Sequence, residues 1–153
     1  MTKVMIVYES KYGNTKKVAE TIAEGMKVSE IEPVFQNPKE VDLKTLGEVD
    51  AILIGSPNHM GNATRGIRKF IDSLGKLDLK GKLITVFDTC FEKDFEKAVK
   101  KMEKRIGEKV PGVNVFPGLS VRVEGTKGPI TGGELPRCKE FGEKVAQQVT
   151  NTN

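Results

Sequence analysis

A chain of 153 residues, 30% charged and 37% hydrophobic with a formal charge of +4, has the composition of a soluble globular protein and the length of one domain, 1–153. Its one histidine, His59, and two cysteines, Cys90 and Cys138, exclude a Cys/His zinc site and a cysteine-ligated iron–sulfur cluster within one chain, and read as free thiols rather than a disulfide. No apolar run approaches the ~18–20 residues of a membrane span, and Met1–Tyr8 is too short and too soon interrupted for a secretory signal, so the chain reads as cytoplasmic with no membrane contact.

The apolar run Val4–Tyr8 predicts a buried strand. Glu9 to Thr15 is rich in turn and cap residues, and Val18, Ile22 and Met26 then recur at helical spacing, with Gly25 expected at a fraying end. Ile31–Gln36 reads as an edge strand, because Pro33 removes a ladder hydrogen bond. Residues 37–48 read as a loop with a short helical turn. Val49–Ile54 is a third strand, ended by Gly55-Ser56-Pro57, and a helix carrying Ile67, Phe70, Ile71 and Leu74 closes at Gly75. Lys82–Phe87 is a fourth strand, with Asp88–Glu92 as a connecting loop. Phe95, Val99, Met102 and Ile106 mark a helix expected to stop at Gly107. A last strand, 113–116 and 119–123, is broken by Pro117-Gly118. Thr131 to Glu134 matches a capping box before a final helix whose inward residues are Leu135, Cys138, Phe141, Val145 and Val149, and the tail Thr150–Asn153 is expected to fray. This alternation of strands and helices predicts an α/β, doubly wound fold: a parallel sheet with helices on both faces and right-handed crossovers.

In such a sheet a ligand sits beyond the carboxyl ends of the strands, which points to loops 9–15, 55–62 and 88–92. In the first, Ser10, Asn14 and Thr15 bring polar side chains, Gly13 lets the backbone come close, and a helix N-terminus favours an anion. It reads either as a phosphate cradle or as a plain strand–turn–helix with a good cap. It is neither a Walker A loop nor G-x-G-x-x-G.

Ser10-Lys11-Tyr12-Gly13-Asn14-Thr15 resembles the phosphate loop of the flavodoxins. That family's loop runs Ser or Thr, any residue, Ser or Thr, Gly, Asn, Ser or Thr, and only Tyr12 departs from it. Gly55-Ser56-Pro57 and Asp88-Thr89-Cys90-Phe91 stand where the family places the two loops that hold a flavin, and the length is similar to that of short-chain members. The resemblance implies a flavodoxin-like three-layer fold, with a five-stranded parallel sheet in the order 2-1-3-4-5. It implies non-covalent FMN, the phosphate on Ser10, Lys11, Tyr12, Gly13, Asn14 and Thr15. The ring would lie between Ser56, Pro57, Asn58, His59, Met60, Gly61 and Asn62 on one side and Asp88, Thr89, Cys90 and Phe91 on the other. Family members pass single electrons between a reductase or ferredoxin-like donor and acceptor enzymes, and a backbone peptide in the first ring loop turns toward the reduced flavin. Gly61 is the first candidate for it and Asn58 the second.

The chain departs from many flavodoxins. No Trp or Tyr is available in loop 56–62, so Phe91 either stacks on the ring or covers the sheet edge. Most members are acidic and this chain is basic. That suits redox partner proteins with an acidic docking face, although the cations of 93–109 are interleaved with acids and also read as a solvated face. His59 either titrates beside the flavin or points into solvent. Cys90 reads as a small residue beside the ring rather than a nucleophile. The reading is thus a monomeric electron carrier rather than an enzyme. The alternative is an FMN-dependent NAD(P)H:quinone-type oxidoreductase on the same fold. A phospho-receiver lacks its acids and acceptor Asp here, and with no recognition motif nothing indicates nucleic acid.

Overall fold

The computed structural model describes residues 1–152. In chain order the elements are β1 (Val4–Tyr8), α1 (Asn14–Met26), β2 (Val34–Gln36), β3 (Ala51–Pro57), α2 (Arg65–Leu74), β4 (Leu83–Cys90), α3 (Lys97–Lys109), β5 (Asn114–Val115), β6 (Leu119–Arg122) and α4 (Glu134–Thr152). Strand pairing is parallel throughout, in the order β2-β1-β3-β4-β5, with β6 pairing β4 further along its length. β5 and β6 are two halves of a fifth strand: the first pairs Leu83 and Ile84, the second Phe87 to Cys90. Pro117-Gly118 sits at the break, where a side chain on Gly118 would press into the Val86 carbonyl. The flavodoxin-like order expected from the sequence is therefore present.

Alternation along the central strands divides the core in two. Val4, Ile6, Leu53 and Phe87 face α1 and α4, while Val7, Ile52, Ile54 and Val86 face α2 and α3. Each such side chain, fully buried, contributes roughly 1.5–3 kcal/mol relative to exposure. Among the described residues no helix is long and apolar enough to cross a membrane.

Several boundaries differ from the sequence reading. β2 is only Val34–Gln36, starting after Pro33, and it does lie at the sheet edge. β3 continues through Gly55-Ser56-Pro57, and β4 through Asp88-Thr89-Cys90, because Gly55, Ser56 and Pro57 pair with Phe87, Asp88 and Thr89, and Cys90 pairs with Arg122 of β6. Gly107 lies inside α3, which runs on to Lys109. Phe95 is outside that helix and outside the core. The capping box does not form: the Thr131 N–H donates to the Arg122 carbonyl, and the Glu134 carboxylate takes the Arg122 N–H. Leu135 is only half-buried, and Ala146 takes an inward place instead. The expected fraying of Thr150–Asn153 is not seen up to Thr152, where α4 ends, and Asn153 lies outside the described residues.

Gly25 is no fraying end. It is buried in α1 where that helix crosses α4: a Cβ there would strike the Lys139 carbonyl, and one on Gly142 would strike the Ile22 carbonyl. Two side-chain-free positions let the helix backbones meet. Gly25→Ala should therefore destabilise the protein by about 1–3 kcal/mol through overpacking. Gly107→Ala, with nothing within 4 Å of the added methyl in a helix interior, should stabilise it by roughly 0.5–1 kcal/mol. Urea midpoints of the two variants, moving in opposite directions from wild type, check both expectations.

Candidate functional site

The carboxyl ends of β1, β3 and β4 border one cavity of about 740 Å³. The turn after β1 contributes Ser10, Lys11, Tyr12, Asn14 and Thr15, β3 and its following turn Pro57, Asn58, His59 and Met60, and β4 with its following residue Thr89, Cys90 and Phe91. Gly13, Ser56, Gly61, Asn62 and Asp88, expected at the same site, are not in its wall. Sequence reasoning did not single out Glu9, Asn37, Thr64, Lys93, Asp94, Val123 and Thr126, which are.

Gly13 turns the chain into α1 at φ +96°, a conformation that glycine adopts without a Cβ penalty. Ser10 Oγ accepts the N–H groups of Gly13 and Lys16, each at 3.2 Å, and so folds the loop back on itself. The N–H groups of Lys11, Tyr12, Asn14 and Thr15 have no hydrogen-bond partner among the described residues. They form a set of donors at the positive end of a helix dipole, with no acidic side chain in its first turn. Thr15 shares a hydrogen bond of 2.9 Å with Thr89, which ties this loop to β4. Asn14 Nδ2 donates to the Thr126 carbonyl at 3.1 Å and draws the 124–130 loop over it.

After β3, His59 to Asn62 form a tight turn: His59 N–H donates to the Asn62 carbonyl at 2.7 Å and Asn62 N–H to the His59 carbonyl at 3.1 Å. The two residues between, Met60 and Gly61, both have positive φ, 55° and 82°, the combination of a type I′ turn. Gly61 N–H donates to Asn58 Oδ1 at 2.8 Å. Asn58 Nδ2, buried beside the cavity, has no partner. Behind this turn Thr64 caps α2 and donates its hydroxyl to Glu9 Oε1 at 2.5 Å, while its N–H donates to Ser56 Oγ at 2.9 Å.

Three large side chains reach solvent at the mouth: Met60 (95% exposed), Tyr12 (47%) and Phe91 (41%). Lys11 and Lys127 place their Nζ atoms 5.4 and 6.0 Å from the Tyr12 ring. Lys93 lines the cavity, and Lys97 and Lys101 lie beside Gly61. Of the acids in the wall, Glu9 is engaged by Thr64 and Asp94 by Lys97 at 3.3 Å. Around the mouth Lys11, Lys93, Lys97, Lys101 and Lys127 thus outnumber Glu9 and Asp94. Among the described residues no cluster of His, Cys, Asp or Glu could hold a metal ion.

Residues 5–123 match the model of a family described as a flavodoxin domain. A flavodoxin of Clostridium saccharobutylicum is 40% identical over 89 residues, 58% of this chain and 56% of that protein. One of Aquifex aeolicus (strain VF5) is 36% identical over 95 residues, 58% of this chain and 50% of that protein. The chain spans about half the length of these relatives. The solved structure of a flavodoxin from the domain Archaea superposes with a TM-score of 0.83 at 26% identity, covering 97% of this chain and 99% of that one.

The loop after β4 is held by charge. Arg122 donates from Nη1 to Glu92 at 3.3 Å and from Nε to Glu134 at 3.4 Å, and its guanidinium lies 4.7 Å over the Phe95 ring. Glu134, nearly buried, also accepts from Arg137 at 2.9 Å. Burial would raise its pKa, but the Arg122 N–H and the two guanidinium groups outweigh that and hold the carboxyl below its ordinary value of 4.5. A depressed carboxyl contributes stability that is present above its unfolded pKa and lost as pH falls through the folded one. Glu134→Gln should cost about 1–3 kcal/mol at neutral pH, and the gap to wild type should close below about pH 4.5. Urea unfolding across that range measures it.

Proposed function

Because the chain belongs to the flavodoxin family, we propose that it is a single-domain, monomeric, cytoplasmic carrier that binds FMN non-covalently and passes single electrons between protein partners. The observation that carries this reading is the row of unpartnered N–H groups at Lys11, Tyr12, Asn14 and Thr15, opening on a cavity of about 740 Å³. That donor set fits a phosphate monoester: several N–H groups, flanking hydroxyls, a helix N-terminus and nearby lysines. Cavities of this volume suit ligands of the size of a flavin mononucleotide. The two free, buried thiols suit a reducing compartment.

Bound FMN supplies reversible one-electron chemistry at its ring. In this reading the 10–15 loop orients the phosphate, and Ser10 and Thr15 add hydroxyl contacts. Met60 and Phe91, from the loops after β3 and β4, flank the ring and exclude water from its faces. Gly61 tolerates either orientation of the peptide before it, so the Met60–Gly61 carbonyl is the acceptor expected to turn toward the ring, with the Asn58 carbonyl as the second choice. Ser56 and Gly13 shape the backbone behind these contacts. The basic rim of Lys11, Lys93, Lys101 and Lys127 supports partners with an acidic docking face, because opposite charge steers encounter.

Charge-assisted hydrogen bonds are worth ~1.5–3 kcal/mol each, so FMN should bind at least ~100-fold tighter than riboflavin, measured by quenching of flavin fluorescence. Equal affinities would remove the phosphate from the 10–15 loop. Anaerobic dithionite titration of the loaded protein should resolve two one-electron steps. Rapid NADPH oxidation with a quinone and no partner protein would instead identify an oxidoreductase. Electron exchange with an acidic one-electron carrier should slow steeply as salt rises; a rate indifferent to salt would remove the acidic docking face.

A further inference from the structure

A carboxyl group behind the cavity wall has no role in the binding arrangement above. Asp88, in β4, is 0% exposed. Its Oδ1 accepts the Ser120 hydroxyl at 2.7 Å, and its Oδ2 has no hydrogen-bond partner. No ion pair among the described residues includes it. On its own strand the titratable neighbour is Cys90; β6 presents Ser120 and the Val121 N–H, and α3 the Val99 N–H. From β3 its pairing partner is the uncharged Ser56. Burial pushes the carboxyl up to about 7, against the lowering effect of the Ser120 hydrogen bond. Of the titratable groups that do line the wall, Cys90 is buried, and Glu9, Lys11, Tyr12, His59, Lys93 and Asp94 retain contact with solvent.

Asp88 is linked to the cavity. Ser120 has one hydroxyl proton and gives it to Asp88, so its 3.3 Å contact with Cys90 Sγ is a thiol S–H donated to Ser120 Oγ. The Glu96 N–H donates to the same oxygen at 2.9 Å and fixes it in place. Cys90 lines the cavity. Burial, and then the charge of Asp88, raise the Cys90 thiol to about 11, so it keeps its proton at neutral pH. A hydrogen-bonded row thus runs from the cavity wall through Cys90 and Ser120 to a buried carboxyl.

We propose that Asp88 is the positioning residue that couples electron arrival at the cavity to proton uptake, with Ser120 and Cys90 as the route; this rests on the cavity being the FMN site. One electron enters from a reduced one-electron donor protein. One proton enters from solvent: the Ser120 hydroxyl proton passes to Asp88 Oδ1, the Cys90 thiol proton replaces it, and solvent restores the thiol. No bond between heavy atoms forms or breaks, and the net charge of the site is unchanged. An ionised Asp88 opposes added negative charge through a low-dielectric interior, where Coulomb terms are large. The reduction potential therefore falls as pH rises through the Asp88 titration.

The tests run with and without flavin. In flavin-free protein the folded pKa of Asp88 lies above the unfolded value of ~3.9, so the associated stability is full below that value and is lost as pH rises through about 7. Wild type should accordingly lose stability relative to Asp88→Asn between those limits, and parallel curves would overturn the proposal. Should that variant not fold, carboxyl 13C NMR of wild type reads the same titration, and an Asp88 resonance titrating at ordinary carboxylate pH overturns it. In FMN-loaded protein, Asp88→Asn should lose the component of the potential's pH slope centred about 7. Ser120→Ala leaves the carboxyl in place and should slow proton uptake after reduction roughly tenfold or more, read by stopped flow with a pH dye; an unchanged rate overturns the route. Asp88→Asn protein that binds FMN with the wild-type slope sinks this inference and leaves the electron-carrier reading standing. Wild type that takes up no FMN removes both.

Discussion

The parallel register of β1, β3 and β4 governs everything at the cavity. Tyr8, Gly55 and Phe87 stand in one row across the sheet, so the three strands deliver their carboxyl ends at nearly the same height. The row depends on a missing side chain: a Cβ on Gly55 would occupy the space of the Phe87 ring, a fully buried part of the core. Beyond the row, side-chain hydrogen bonds join the ends. Thr15 to Thr89 links the first turn to the fourth strand, and Ser56 to Thr64 and Thr64 to Glu9 link the third strand, α2 and the first turn. The loops around the cavity are short and cross-tied, so the wall is largely preformed.

Much of this was legible because apolar runs and helical stripes are strong signals. The strands beginning at Val4, Ala51 and Leu83 and the stripe through Ile67, Phe70, Ile71 and Leu74 were each visible in local sequence. Segment 10–15 was legible as a turn into a helix, because its glycine, hydroxyl and amide residues precede an apolar helical stripe. What failed locally was polar strand. Asp88-Thr89-Cys90 looks like loop when a strand is judged by apolar content, yet its pairing with β3 and β6 satisfies the backbone and buries all three residues. Gly25 and Gly107 look like termini because a glycine weakens a helix; the partner helix α4 reveals a close approach at Gly25, whereas Gly107 meets nothing. Thr64 carried a usable signal, an N-cap residue just before an apolar stripe. Asn37, Val123 and Thr126 carried none, because chain crossings distant in sequence bring them to the cavity.

The charges are arranged unevenly between surface and interior. Lysines crowd the mouth, whereas the interior behind it holds one acid without a cation. Glu134, the other buried acid among the described residues, is satisfied by two arginines and stays charged, while desolvation without a cation drives Asp88 toward neutrality. Two guanidinium groups beside Glu134, and none beside the more deeply set Asp88, decide the difference.

The close crossing of α1 and α4 has a consequence for how the protein is made. α1 begins at the turn after β1, and its apolar stripe of Val18, Ile22 and Met26 is covered from the other side by Cys138, Phe141 and Val145. Those residues leave the ribosome after every strand of the sheet. A nascent chain that has reached only Thr131 holds the strands and the turn but leaves one face of the sheet without its second helix. Such a chain exposes apolar surface, and its turn is braced from one side alone. Closure of that face of the sheet is thereby deferred until synthesis has passed α4.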